Sequence, residues 1–347
     1  MSAIEPKSPP KRTGIGFYLA MFCAALAWSV SSRLLSASSA TGITNRLNAD
    51  WATEIVGAFF FLFLLSVGFS LLGIIARAPV SARTALGLPS RTTAGREWLI
   101  GVAIGWGMIT LTVLPMALAG DLHLSLWLEP RAFAALLLTL VALALISLSI
   151  EVVYRGYAYQ RLIDAVGPVA ATIIMSLIYA IARVFESGAS GAAFFLAFLS
   201  AIVFSVAWLR THGLWLSWGM RFGWMASMGV LFGLPVSGSL NFGSIIGTDA
   251  IGRIWRTGGE YGPEASRVLL LALVAGLIAL IRSTRDYAWN YTHTPIVPGG
   301  YPMEAQPPAA HAAMEQEARA KASALIQILP TTPDGRSALP PPPPPRP

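Results

Sequence analysis

Between Gly14 and Ile281 the chain is built almost entirely of apolar runs long enough to be bilayer-crossing helices, and this constrains its fold more than any other feature. A spanning segment must satisfy every backbone N–H and C=O internally, so as a helix it needs roughly 20 mostly apolar residues rising 1.5 Å each. The runs fall at about 14–32, 55–76, 98–119, 133–162, 168–184, 192–208, 214–231 and 266–281. They predict an all-α fold, a polytopic membrane bundle of about eight transmembrane helices. Composition agrees, with 55% hydrophobic and only 12% charged residues, where soluble domains carry about 25% charged. No stretch within 14–285 is left for a separate soluble domain.

The organisation follows from where this character changes. Residues 1–13 form a short N-terminal segment bearing Lys7, Lys11 and Arg12, and 14–285 form the membrane domain. Residues 286–347 form a Pro/Ala-rich tail with too few apolar side chains to repay the entropy of ordering, so disorder is expected there. Its closing run Pro340–Pro345 suits the aromatic groove of a proline-recognition domain as a partner. The net charge of +7 sits mainly between the apolar runs, and the positive-inside rule then places both termini in the cytoplasm. That accounts for the basic excess with membrane lipid as the surrounding partner and no nucleic acid. Cys23 is the only cysteine, which excludes a disulfide framework and a cysteine metal cluster. Gly167 followed by Pro168 predicts a tight antiparallel turn between the fourth and fifth helices.

Four ionisable residues fall inside the predicted spans: Glu151, Arg155, Arg183 and Arg221. Each costs about 2.5–3.5 kcal/mol to insert, so each is expected to face the bundle interior with a partner. Glu151 and Arg155 share a helix face by i,i+4 spacing. The turn at Gly167 brings Arg183 level with Glu151, both roughly 17–22 Å from it. One reading is an ion-pair network that fastens helices. The other starts from one carboxylate against three guanidiniums, an excess of positive charge that calls for an anionic guest such as an anionic lipid or a peptide carboxylate. Trp215, Trp218 and Trp224 read as packing or interface anchors, and Gly258, Gly259 and Gly262 as a tight loop.

The same charges lie in three motif-like segments: Ile150-Glu151-Val152-Val153-Tyr154-Arg155-Gly156, Tyr179-Ala180-Ile181-Ala182-Arg183, and Leu214-Trp215 leading through Arg221 to Met225. With the glycine-rich stretch from Thr257 to Glu264, they resemble in order and spacing the CPBP family of CAAX prenyl protease 2 and bacteriocin-processing proteins, over about residues 80–285. The resemblance implies a CAAX prenyl protease 2-like helical membrane domain. It also implies an endopeptidase site in which a first-motif glutamate and a second-motif histidine activate water, directly or through a divalent metal. A third-motif histidine and asparagine would hold the oxyanion.

This chain departs at every one of those positions. Ile150 stands for the first glutamate, Arg183 and Arg221 for the histidines, and Met225 for the asparagine, while Glu151, Arg155 and Tyr179 keep the family's pattern. Arginine stays protonated and has no lone pair for a proton or a metal. The four histidines His123, His212, His293 and His311 lie outside the motif positions, and Glu151 alone makes no metal site, so no cofactor is expected. The leading reading is a non-catalytic pseudoprotease whose Glu151, Arg155, Arg183 and Arg221 line a pocket for an anionic ligand, lipid or partner. An active endopeptidase with relocated residues is the alternative. A transporter is a third, with little support because no Gly/Pro-interrupted helix pair recurs in matching halves.

Overall fold

A computed structural model describes residues 14–76, 83, 86–126, 130–238 and 246–284. The basic N-terminal segment, Arg77, Arg285, His293, His311 and the Pro-rich tail lie outside the described residues. Every expected apolar run is helical. The helices are α1 (Ile15–Leu47), α2 (Thr53–Ile75), α3 (Ala94–Leu118), α4 (Pro130–Arg155), α5 (Tyr157–Val166), α6 (Pro168–Arg183), α7 (Gly191–Thr211), α8 (Leu214–Ala226), the short α9 (Ile254–Thr257) and α10 (Leu269–Ser283). Among the described residues, five stretches are long and apolar enough to cross a bilayer: α1, Asp50–Ile75, α3, Ala135–Val166 and α7. The apolar helices α6 and α10, of 16 and 15 residues, fall short by length. The protein is an all-α integral membrane bundle, and among the described residues five stretches meet the length and apolarity for a span.

Three departures from the sequence expectation have local causes. α1 runs on past residue 32 to Leu47, 33 residues or about 50 Å against a hydrocarbon core of about 30 Å. Its second half is polar yet unbroken, because Ser38, Thr41 and Thr44 return their hydroxyls to carbonyls one turn back and Asn48 ends the helix in the left-handed conformation. The expected helix 133–162 is two helices, α4 and α5, broken at Gly156, where a side chain would strike the carbonyl of Val152. The third departure is a two-stranded antiparallel sheet of β1 (Leu122–Leu126) and β2 (Ile246–Ala250), with Leu124 opposite Thr248. Leu122, Leu124 and Leu126 alternate with His123 and Ser125, the period of a strand, in a stretch too short to register beside the helices.

Packing is closest between α3 and α8. Gly101 and Gly105 lie against the carbonyls of Leu216 and Met220, and Gly219 and Gly223 lie against those of Trp98 and Val102. Each helix thus carries two glycines four residues apart, and a Cβ at any of the four would run into facing backbone. In lipid, where no hydrophobic effect drives helices together, such close approach supplies the van der Waals contact that does. α8 continues as a π-helical turn at Ser227–Leu231. The α5–α6 connection is as expected, with Gly167 at φ 84° and Pro168 at the first helical position.

Two ion pairs tie loops to this frame. Arg91 pairs with the buried Glu97 at 3.2 Å and donates to the carbonyls of Thr211 and His212, locking the α7–α8 turn. Asp121 holds Arg256 at 2.9 Å, while its own carbonyl accepts from the N–H groups of Ile251 and Gly252.

Candidate functional site

α4 sets Glu151 and Arg155 one turn apart, both fully buried, and α8 brings Arg221 to the same carboxylate. Glu151 Oε1 accepts from Arg155 Nη1 at 3.0 Å and from Arg221 Nε at 3.0 Å. Arg155 completes its bonding on α7, donating to the Ala201 carbonyl at 2.9 Å and to Ser205 Oγ at 3.4 Å. The Arg221 guanidinium stacks on the Phe204 ring, 4.1 Å from its centre, and Nη1 donates to the Tyr179 hydroxyl at 2.8 Å. That hydroxyl also accepts from Arg183 Nη2 at 2.6 Å. The four expected residues therefore belong to one network. Arg183, however, reaches it through Tyr179, and its own carboxylate partner is Glu186 at 2.6 Å.

The network then runs into Glu186 and Ser237, which the sequence did not single out, and into Trp224, Tyr261 and Glu264, which it placed only as an anchor and in the glycine-rich stretch. Arg183 Nη1 donates to Ser237 Oγ at 2.7 Å, and Ser237 donates to Glu264 Oε2 at 2.5 Å. Trp224 Nε1 donates to Glu264 Oε1 at 2.7 Å, and the Tyr261 hydroxyl donates to Glu186 Oε2 at 2.9 Å. Ser237 adopts φ 52°, unusual for a residue with a side chain, and its two hydrogen bonds hold it there. Glu186, Glu264 and Glu151 match Arg155, Arg183 and Arg221 charge for charge. The expected excess of positive charge is absent, because the loops after α6 and before α10 return two carboxylates to the arginines. The argument from net charge to an anionic guest falls with it.

Arg183, Arg221, Met225 and Ile150 line an open cavity of about 660 Å³ together with Glu186, Ser237 and Glu264. Arg33 of α1 and Glu54 of α2 also line it, so it faces the end of the bundle where α1 finishes and α2 begins. The Gly167 turn lies at the other end, near the start of α1, where Arg161 sits over the Tyr18 ring. Glu151 and Arg155 do not line this cavity; they are sealed behind Arg221. Glu151 Oε2 and Arg221 Nη2 are buried without a hydrogen-bond partner among the described residues.

Chemically, the arrangement links α4, α6, α7 and α8 through side-chain hydrogen bonds. Glu151 Oε1 is spent on two guanidiniums, and the histidine positions carry arginines with no lone pair. A divalent metal does not fit these residues, since Glu151 would have to share a cation with the guanidiniums of Arg155 and Arg221. No group of three or more His, Cys, Asp or Glu that could hold a metal occurs among the described residues. His212 does not line the cavity. It caps α7 in the left-handed conformation, with its ring against Trp208, and burial followed by the Arg91 charge holds its imidazole below the ordinary histidine value.

Residues 132–227, from α4 to the start of the π turn, match the family model of the type II CAAX prenyl endopeptidase Rce1-like proteins. The match takes in all three motif segments and is narrower than the expected 80–285. No curated protein and no solved structure matches the chain.

Proposed function

We propose, from a chain that belongs through its Rce1-like domain at residues 132–227 to the CPBP family of CAAX prenyl endopeptidases, that this member is a non-catalytic, pseudoprotease-type membrane protein. Its motif positions hold helices together and border a guest-binding cavity. The observation that carries the reading is the state of Glu151, the one glutamate of the first motif that remains beside Ile150. Glu151 is fully buried, engaged by Arg155 and Arg221, and sealed off from the cavity in which a substrate would lie. Loss of a general base costs about 10²–10⁴ in rate and loss of an oxyanion donor about 10²–10³, and here the water-activating and oxyanion positions are all replaced. The proposed topology keeps both termini in the cytoplasm, which places the mouth of the cavity on the opposite face.

The test is cleavage of prenylated and unprenylated peptide libraries by the purified protein, with metal content measured on the same sample. The expected result is no turnover and no stoichiometric zinc; turnover abolished by Glu151→Ala would overturn the reading. A second reading, an endopeptidase with relocated residues, draws support from one contact. Ser237 and Glu264 form a hydroxyl–carboxylate pair on the cavity wall, with Trp224 orienting the carboxylate. Turnover that survives Glu151→Ala and is lost in Ser237→Ala would establish it.

A further inference from the structure

The cavity beside Arg183 has a second compartment. A largely apolar groove of about 470 Å³ runs between α1, α2, α4 and α6, lined by Leu26, Val30, Phe61, Val153 and Ile178 among others. Arg33, Ile146, Ile150, Arg183 and Glu186 line both compartments, so an alkyl slot and a polar chamber share one wall.

The charges of the polar chamber say what kind of head it takes. Six charged side chains line it: Arg33, Arg183, Arg221, Glu54, Glu186 and Glu264. Four are already engaged, Arg183 with Glu186, Arg221 with Glu151, and Glu264 with Trp224 and Ser237. Arg33 and Glu54 have no ion-pair partner among the described residues, and Arg33 lies only over the Phe61 ring, 5.7 Å from its centre. Both are exposed, and they come from the neighbouring helices α1 and α2. A guest entering here therefore meets one unpaired guanidinium and one unpaired carboxylate. A purely anionic or purely cationic head would pair with one of them and leave the other without an ion-pair partner. A head carrying both signs satisfies both, and the adjoining slot takes its alkyl chain.

We propose that this two-compartment cavity binds a zwitterionic glycerophospholipid of the ethanolamine type. Its phosphate lies against Arg33, whose planar fork matches phosphate oxygens, and its ammonium donates to Glu54. One acyl chain occupies the apolar groove. A choline head carries the same charges but has no N–H to donate, which makes it the natural discriminator. The proposal rests on reading the cavity as a binding site rather than a processing site, and it names the occupant.

The test uses the purified full chain in detergent, titrated with lysophosphatidylethanolamine, lysophosphatidylcholine and lysophosphatidylglycerol while the melting temperature is followed. The expected result is a saturable rise with the ethanolamine lipid at about ten-fold lower concentration than with the other two, the discrimination of one charge-assisted hydrogen bond. Arg33→Gln and Glu54→Gln should each weaken that response about ten-fold or more. Because both side chains are exposed, the lipid-free melting temperature should stay where it was. Equal responses to the three heads, or an ethanolamine response unchanged in both variants, would overturn the proposal. Peptide cleavage measured on the same samples separates this from the reading it rests on. Glu151-dependent turnover sinks the non-catalytic reading while headgroup selectivity stands. Headgroup-indifferent binding without turnover sinks the lipid assignment alone.

Discussion

Glu151→Ala is expected to lower the unfolding free energy by about 3–5 kcal/mol, the range for breaking a buried ion pair from one side. One carboxylate oxygen serves two guanidiniums from different helices, so its removal strands the buried Arg155 and Arg221 together. Their remaining bonds, to the Ala201 carbonyl, Ser205 and the Tyr179 hydroxyl, are to neutral acceptors. Arg155→Ala should cost less, because Glu151 keeps Arg221. Reversible unfolding in mild detergent orders the two variants, and equal losses would show that Arg221 does not share the carboxylate.

Gly105→Val is the second substitution with a large expected effect. Added methyl groups would meet the Met220 carbonyl on α8, and the helices can relieve the clash only by moving apart. Overpacking of this kind typically costs about 1–3 kcal/mol, occasionally more. Here it acts twice, since α8 also carries Arg221 to Glu151. A loss of stability comparable with that of Glu151→Ala is therefore expected. Gly107→Val supplies the control from the same helix, because a Cβ there meets nothing within 4 Å. If the two glycine variants melted together, the α3–α8 contact would not be the tight joint described above.

Much of this was legible in the sequence, where it depended on neighbours along the chain. Apolar runs located the helices, Gly167 with Pro168 located the turn into α6, and i,i+4 spacing paired Glu151 with Arg155. The break at Gly156 was visible as a glycine but not as a break, because the apolar pattern continues on both sides of it. The C-terminal half of α1 was missed because hydropathy ends at Arg33 while helical hydrogen bonding does not. The partners of Arg183 divide in the same way. Glu186 lies three residues on, a spacing that was open to reading but was passed over because it falls beyond the apolar run that ends at Val184. Glu264 and Ser237 reach the site only because the segments before α10 fold back against α6 and α8, and no local pattern announces that. Counting charge within the helices alone therefore gave the site two positive charges that it does not have.

The central claim is that the family's motif positions here form an ion-pair network rather than a water-activating centre, and a double-mutant cycle between Glu151 and Arg221 tests it most directly. Glu151→Gln, Arg221→Gln and the double variant would be unfolded reversibly in the same detergent. The network predicts that both single variants are less stable than the wild type, with a coupling energy of at least about 1.5 kcal/mol, in the upper part of the range for residues in direct contact. Additivity within about 0.5 kcal/mol, together with a Glu151→Gln protein more stable than the wild type, as relief of a strained active-site carboxylate would give, would contradict it.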